Sequence, residues 1–146
     1  MARRRKRLTE DMVIDTMIFT YALFGAEQEK ADSKQILGKA NRIIVPDSFY
    51  SEFTNSLWQW VLHKNVSEIT ALESLLIIEV LITQTVETKT LSRKALNLAL
   101  ERNHSVYDSL FVASAIEYDT KVISYDKKLL RTFPEYSIHP RVFLTR

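Results

Sequence analysis

The sequence predicts an α/β fold in which a mostly parallel sheet is covered by helices on both faces, because short β-branched strands alternate with longer helical stretches. The chain has only two glycines and three prolines, so the connections between these elements must be short. No linker, repeat or change of composition divides its 146 residues, of which 46% are hydrophobic. A chain of this size can bury a substantial core, and we therefore expect one globular domain.

The first half of the chain alternates strand and helix signals. An apolar run that ends at Asp15 predicts the first strand, and apolar residues at helical spacing follow it as far as Gly25, which ends a helix. A β-branched run closed by Pro46 predicts the second strand. Ser48 is in position to cap a long helix whose apolar stripe leaves Glu52 on another face. The predicted elements are strand 12–14, helix 18–24, helix 31–40, strand 42–46 and helix 49–64.

The second half repeats this alternation and contains the most apolar helix. Ser67 caps one helix, Ser105 opens another, and Asp126 caps a short one that Pro134 stops. The helix after Ser105 is apolar nearly all the way round, and such a helix is usually buried. The predicted elements are helix 67–80, strand 82–86, helix 91–102, helix 106–118, strand 121–124 and helix 127–133.

Positive charge is concentrated near the amino terminus. The segment Arg3 to Arg7 holds 5 of the 20 Lys and Arg residues, although the formal net charge is only +2. We therefore divide the chain into a basic extension, residues 1–11, and a single domain, residues 12–146. A basic arm suits a polyanion partner, although a solvated tail is the more common explanation of such a run.

Several classes of protein are excluded by residues that the chain lacks. With no cysteine it has no thiol nucleophile, Cys-ligated zinc or iron-sulfur cluster, and two glycines cannot build a phosphate-cradling loop. Its most apolar stretch is too short to span a membrane, and acids interrupt the only segment that imitates a signal peptide. We therefore expect a soluble, cytoplasmic protein. His63, His104 and His139 are isolated from one another and are interpreted as surface or helix-end residues.

Four acids lie at predicted strand ends or in the first turns of predicted helices, and each has a purely structural interpretation. Asp15 and Asp126 are plausible helix caps. Asp108 completes a capping box with Ser105, and Glu52 is most simply a solvated acid. In a parallel sheet, however, all four positions converge on the carboxyl edge, where functional groups collect.

The chemistry of such a cluster differs from that of its members. Four neighbouring carboxylates raise one another's pKa values and destabilise the fold unless a cation compensates them. Sites made of carboxylate oxygens select hard ions such as Mg²⁺ or Mn²⁺. A site of this kind favours phosphoryl transfer, because a bound ion activates water and stabilises the charge on a phosphate.

Four sequence blocks resemble the signature blocks of PIN domains, and most closely those of the VapC-type toxins. The blocks follow one another between residues 12 and 133, and the last two are the most specific part. The resemblance implies a three-layer α/β/α sandwich, Mg²⁺- or Mn²⁺-dependent endoribonuclease activity on RNA, a homodimer and a cognate antitoxin. The blocks are Val13 to Thr16, Pro46 with Ser51 to Leu57, Ser105 to Ala115, and Val122 to Leu129.

By motif position, the resemblance also implies which residues bind the metal and carry the catalysis. Ser124 stands where the family more often has Thr, and it is a candidate supporting residue together with Thr16. Met17 departs from the small polar residue that the family usually has beside its first acid. The implied catalytic and metal-binding acids are Asp15, Glu52, Asp108 and Asp126. The candidate RNA phosphate contacts are Arg3, Arg4, Arg5, Lys127 and Lys128.

Other interpretations remain open from the sequence. If the acids serve only as caps, the chain is a catalytically silent PIN-like module that binds RNA or protein. A phosphohydrolase or receiver domain would need a second acid just after Asp15, which is missing. Trp58 and Trp60 are interpreted as core or interface residues rather than as a surface for stacking bases. The candidate oligomer face consists of Leu75, Leu76, Ile78, Leu81 and Ile82.

Overall fold

The computed structural model describes residues 10–146, which form a three-layer α/β/α sandwich around a five-stranded sheet. The strands are β1 (Glu10–Ile14), β2 (Ala40–Pro46), β3 (Gln84–Val86), β4 (Val122–Ile123) and β5 (Ser137–Ile138). The helices are α1 (Thr16–Phe24), α2 (Glu27–Lys39), α3 (Phe49–Lys64), α4 (Glu68–Leu81), α5 (Thr88–Arg102), α6 (Val106–Glu117), α7 (Lys127–Thr132) and α8 (Pro140–Thr145).

The order of the strands places β1 at the centre of the sheet. The order is β3-β2-β1-β4-β5, and every pair of neighbouring strands is parallel. The chain winds outward from β1 to β2 and β3, then returns to place β4 on the other side of β1. The strand order reverses at β1, and ligands bind beyond the carboxyl ends of the strands at such a switch point. The fold therefore predicts a binding site at the carboxyl end of β1.

The core lies on both faces of β1, which explains its continuous apolar run. Val13 and Ile14 are fully buried, and α6 packs across β1, β2 and β4. Residues 109–115 of α6 are all buried, which confirms the prediction that this apolar helix lies inside the protein. Strands covered on both faces are apolar at consecutive positions, because neither face meets water.

The structure departs from the predicted elements in missed elements, in element bounds and in one helix cap. Neither β5, a strand of two residues, nor α8, a helix of six, was predicted. Helix α2 begins at Glu27, one turn before the predicted start, in a polar stretch with no apolar stripe. The predicted cap at Ser48 is wrong: its side chain makes no capping hydrogen bond, and its backbone is already helical.

In residues 10–146 no helix combines the length and the apolar character needed to cross a bilayer. The candidate contacts Arg3, Arg4 and Arg5 lie outside the described residues. Strand β1 begins at Glu10, two residues earlier than predicted, because Glu10 pairs with Ala40 and Asp11 with Arg42 of β2, with a shift of register between the two pairs.

Candidate active site at the carboxyl edge of the sheet

The parallel sheet brings the four predicted acids to one edge. Asp15 follows β1 directly, and Asp126 follows the neighbouring strand β4 after a two-residue connection. Glu52 and Asp108 lie in the first turns of α3 and α6. Their charges act on one another: Asp15 is influenced by Asp108 and Asp126, and Glu52 by Asp15 and Asp108.

Asp15 is buried, with only 8% of its surface exposed. Its Oδ1 accepts a hydrogen bond from the backbone N–H of Thr16 at 2.8 Å, and its Oδ2 accepts one from the Ser124 hydroxyl at 2.6 Å. Burial is the main reason that the pKa of Asp15 rises to about 6; the Ser124 hydrogen bond lowers it, and Asp108 and Asp126 raise it further. The predicted helix cap at Asp15 is therefore confirmed. A residue that only caps a helix does not need to be buried, however, so the cap does not explain the burial of Asp15.

Ser124 connects two of the acids. Its hydroxyl donates to Asp15 and accepts from the backbone N–H of Asp126 at 3.0 Å. Asp126 then caps α7, where its Oδ1 accepts from the N–H groups of Lys128 at 2.9 Å and Leu129 at 3.2 Å. One buried hydroxyl thus fixes the end of β4 relative to the end of β1.

Glu52 is not a solvated acid, and that prediction is wrong. Its Oε2 is buried and finds no hydrogen-bond partner among the described residues. Burial raises the pKa of Glu52 to about 7, and Asp15 and Asp108 add to the rise. A buried carboxylate oxygen without a partner is costly, and it is an oxygen that a ligand can use.

His104 is a site residue that the sequence analysis missed. It was interpreted as a surface or helix-end residue, but its side chain is only 1% exposed and its Nε2 lies 2.8 Å from Asp108 Oδ2. The ring rests edge-on against Phe133, with centroids 5.3 Å apart. With the proton on Nε2, His104 donates to Asp108 and fixes its carboxylate. The spacing of four residues between them was the available signal.

The Asp108 backbone confirms half of the predicted capping box. Its N–H donates to the Ser105 hydroxyl at 3.2 Å. The side chain does not return to the cap as a capping box requires, because it turns to His104 instead. The structural interpretation therefore accounts for the Asp108 backbone and leaves its carboxylate for another task.

The remaining candidates differ in how far they enter the site. Thr16 is buried, and its hydroxyl has no hydrogen-bond partner within residues 10–146. Lys127 and Lys128 are exposed in the first turn of α7, immediately after Asp126. Met17 is half-buried in α1, two residues beyond Asp15.

The edge holds negative charge that the described chain does not neutralise. None of the four acids forms an ion pair with Lys or Arg in residues 10–146. As placed, no three or more His, Asp or Glu side chains of that part of the chain form a closed set of metal ligands. The four acids are thus electrostatic neighbours rather than a ready-made set of metal ligands.

The chain is an α/β/α domain whose acids lie at the switch point of a parallel sheet. This combination of fold and site places it in one class of protein. The chain belongs to the PIN domain family, whose sequence profile matches residues 12–133. PIN domains are generally nucleases that use divalent metal ions. No curated protein matches the chain.

Two solved structures have a similar fold. PAE2754 from Pyrobaculum aerophilum aligns with a TM-score of 0.73 and 18% sequence identity, over 93% of this chain and 88% of that chain. VapBC2 from Rickettsia felis, solved bound to a DNA fragment from their promoter, aligns with a TM-score of 0.61 and 10% identity, over 90% of this chain and 98% of that chain. These alignments confirm the predicted fold.

Proposed function

We propose that the chain is an endoribonuclease that depends on Mg²⁺ or Mn²⁺ and hydrolyses RNA phosphodiester bonds. The observation that carries the proposal is the group of neighbouring carboxylates that no Lys or Arg of residues 10–146 neutralises. A divalent cation compensates such a group, and carboxylate oxygens suit a hard ion. The proposed metal-binding residues are Asp15, Glu52, Asp108 and Asp126.

The oxygens of these acids have the chemistry and the free acceptor capacity that an ion requires. Within the described residues, Glu52 Oε2 has no partner, Asp108 uses only Oδ2 for His104, and Asp126 uses only Oδ1 for its helix cap. Asp15 accepts one hydrogen bond on each oxygen, which leaves further lone pairs. Every acid therefore retains acceptor capacity beyond its hydrogen bonds within the described residues.

The chain's own residues position the acids and the substrate. Ser124 holds Asp15 and the turn before Asp126, and the buried Thr16 hydroxyl stands ready beside them. A divalent cation, when bound, supplies activation of the attacking water and stabilisation of charge on the phosphate. The proposed RNA phosphate contacts are Arg3, Arg4, Arg5, Lys127 and Lys128.

Cleavage of a structured RNA by the purified protein tests this proposal. We expect cleavage with Mg²⁺ or Mn²⁺, none in EDTA, and none by Asp108→Asn. Asp119→Asn is the matched control, because it makes the same chemical change at an exposed position where α6 leads into β4. The backbone φ of Asp119 is positive, 50°, and Asn tolerates that conformation. Cleavage that persists in EDTA or in Asp108→Asn contradicts the proposal.

A catalytically silent PIN-like module is the second candidate. Its support is that Asp15 and Asp126 do make the hydrogen bonds of helix caps, and that Met17 places an apolar side chain beside the first acid. This candidate predicts RNA or protein binding that neither EDTA nor Asp108→Asn changes, with no cleavage under any metal condition.

We further propose a cytoplasmic toxin restrained by a cognate antitoxin. The resemblance of the four sequence blocks to VapC-type toxins supports this, together with the fold shared with VapBC2 from Rickettsia felis. Growth arrest on expression of the chain, relieved in Asp108→Asn, is the expected result. Normal growth with an active, expressed nuclease contradicts the toxin role.

We also propose that the chain forms a homodimer through α4. The structure corrects the predicted face: Ile78 is buried, and Leu75 and Ile82 pack against the core. The exposed apolar residues instead follow the helical period and include Leu76 at 64% and Val80 at 83% exposure; the set is Ile69, Leu72, Leu76, Ile77, Val80 and Leu81. Leu76→Lys is expected to yield a monomer by light scattering, whereas Val142→Lys on α8 leaves the dimer intact.

A further inference from the structure

A cleft between α1 and α3 opens beside the acidic edge. It encloses a volume of about 330 Å³, and Met17 and Tyr21 line one wall while Ser56, Gln59 and Trp60 line the other. That volume is larger than a nucleobase needs. Neither the metal-binding acids nor the core accounts for this combination of side chains.

The cleft is continuous with the proposed active site along both helices. Ser56 lies one helical turn beyond Glu52, and Trp60 lies one turn beyond Ser56, so these residues share a face of α3. Met17 and Tyr21 have the same relation on α1, which begins beside Asp15. When a phosphate of an RNA strand lies at the acids, the base of the adjacent nucleotide therefore reaches the cleft.

The two aromatic walls are held in place from behind. Trp60 is half-buried and rests on Phe24, with ring centroids 5.4 Å apart. Tyr21 is half-buried and rests on Tyr125, with centroids 5.2 Å apart. A stacking surface that is already fixed loses little conformational entropy when a ligand binds.

The polar lining suits the edge of a base and its phosphate. Ser56 and Gln59 offer hydroxyl and amide groups, and Lys64 contributes a positive charge at the end of α3. We propose that this cleft binds one unstacked base of single-stranded RNA next to the scissile phosphate, with the base against Trp60 and Tyr21. Proteins recognise single-stranded RNA by such stacking on aromatic rings combined with hydrogen bonds to base edges.

The two tryptophans of the chain provide a matched test. Trp58 is 59% exposed on α3 and does not line the cleft, whereas Trp60 does. Binding of a short fluorescein-labelled single-stranded RNA is measured by anisotropy in EDTA, where no cleavage occurs. We expect about tenfold weaker binding or more for Trp60→Leu, from the loss of one stacked base, and unchanged binding for Trp58→Leu.

Variants of two exposed residues test the cleft independently, in case the Trp60 variant misfolds. Gln59→Ala and Lys64→Gln alter exposed side chains of the cleft and are each expected to weaken RNA binding without changing the melting temperature. Equal binding by wild type, Trp60→Leu and Gln59→Ala overturns the inference and leaves the cleft to a protein partner.

The inference rests on the proposed ribonuclease function, and the two fail in different ways. If the wild type cleaves RNA but the cleft variants bind it normally, the cleft is wrong and the function stands. If the wild type neither binds the single-stranded RNA nor cleaves the structured RNA, both are wrong.

Discussion

The two ends of strand β1 carry acids in opposite circumstances. At the amino end, Asp11 pairs with Arg42 at 2.8 Å and accepts from Asn41 at 3.0 Å, and Glu10 pairs with Arg146. At the carboxyl end, Asp15 is buried, and its hydrogen bonds come from a backbone N–H and a hydroxyl. Within residues 10–146, the acids of the strand are thus paired with cations at its amino end and not at its carboxyl end.

This difference separates structural acids from functional ones. An acid that the fold uses for stability receives a cation of the chain, as Asp11 does. An acid buried beside other acids lowers stability at neutral pH, and its presence there needs a reason outside the stability of the domain. The elevated pKa values of Asp15, about 6, and Glu52, about 7, mark where that cost is concentrated.

The largest expected effect comes from the same substitution made at each end of β1. Asp15→Asn removes a proposed metal ligand and its charge, and we expect RNA cleavage to fall by about 100-fold or more. Asp11→Asn weakens the exposed contacts that Asp11 makes with Arg42 and Asn41, far from the carboxyl edge, so we expect cleavage to stay within about twofold of wild type. Rates of cleavage at saturating Mn²⁺ measure both. Equal losses in the two variants would abolish the distinction between the ends.

The next effect tests whether His104 orients Asp108. His104→Leu fills the space without a donor, and we expect Mn²⁺ affinity to fall by about 10- to 100-fold, as for other residues that orient metal ligands. His104→Gln places an amide N–H near the position of Nε2 and is expected to restore most of the affinity. Calorimetric titration with Mn²⁺ measures both. A purely structural role predicts that the two variants bind Mn²⁺ equally.

The pH dependence of stability gives a smaller effect with a definite sign. The folded pKa values of Asp15 and Glu52 lie above the ordinary values of 3.8 and 4.5 for these side chains, so the folded protein binds more protons between about pH 4 and pH 7. Stability in EDTA therefore falls as the pH rises through this window, by on the order of 2 kcal/mol from these groups. Denaturant unfolding of wild type and Asp15→Asn from about pH 5 to about pH 8 measures it, and the variant is expected to show a flatter profile. An equal slope contradicts the assignment.

The smallest effect is expected at the ion-paired end. Arg42→Gln removes the partner of Asp11, and because the Arg42 side chain is 44% exposed, the cost in stability is expected to be below about 1 kcal/mol. It should shrink further in high salt. Denaturant unfolding at low and high salt checks this. A loss above about 2 kcal/mol would show that the amino end contributes more to stability than a surface ion pair does.

Local signals explain what the sequence predicts correctly. The apolar strand before Asp15, the stop at Gly25 and the caps at Ser67 and Asp126 each depend on neighbours a few residues away. The convergence of the acids follows from the parallel order of β1 and β4. These features need no knowledge of tertiary packing.

Packing decides the features that the sequence does not predict. Helical spacing alone predicts that Glu52 is a solvated acid, and its Oε2 is buried only because other elements surround it. The sequence predicts that His104 is a helix-end residue, because the contact between its ring and Phe133 joins parts of the chain that are distant in sequence. The exposed stripe of α4 likewise depends on which side of that helix the core occupies.

Binding of Mn²⁺ to the protein without RNA tests the central claim most directly. Calorimetry at about pH 7.5 compares wild type, Asp15→Asn and Asp11→Asn, with the melting temperature followed in parallel. We predict that wild type and Asp11→Asn bind Mn²⁺ equally and gain thermal stability, whereas Asp15→Asn binds far more weakly and gains little. Absence of Mn²⁺ binding by the wild type, or equal binding by all three proteins, would contradict a metal site at the carboxyl end of β1.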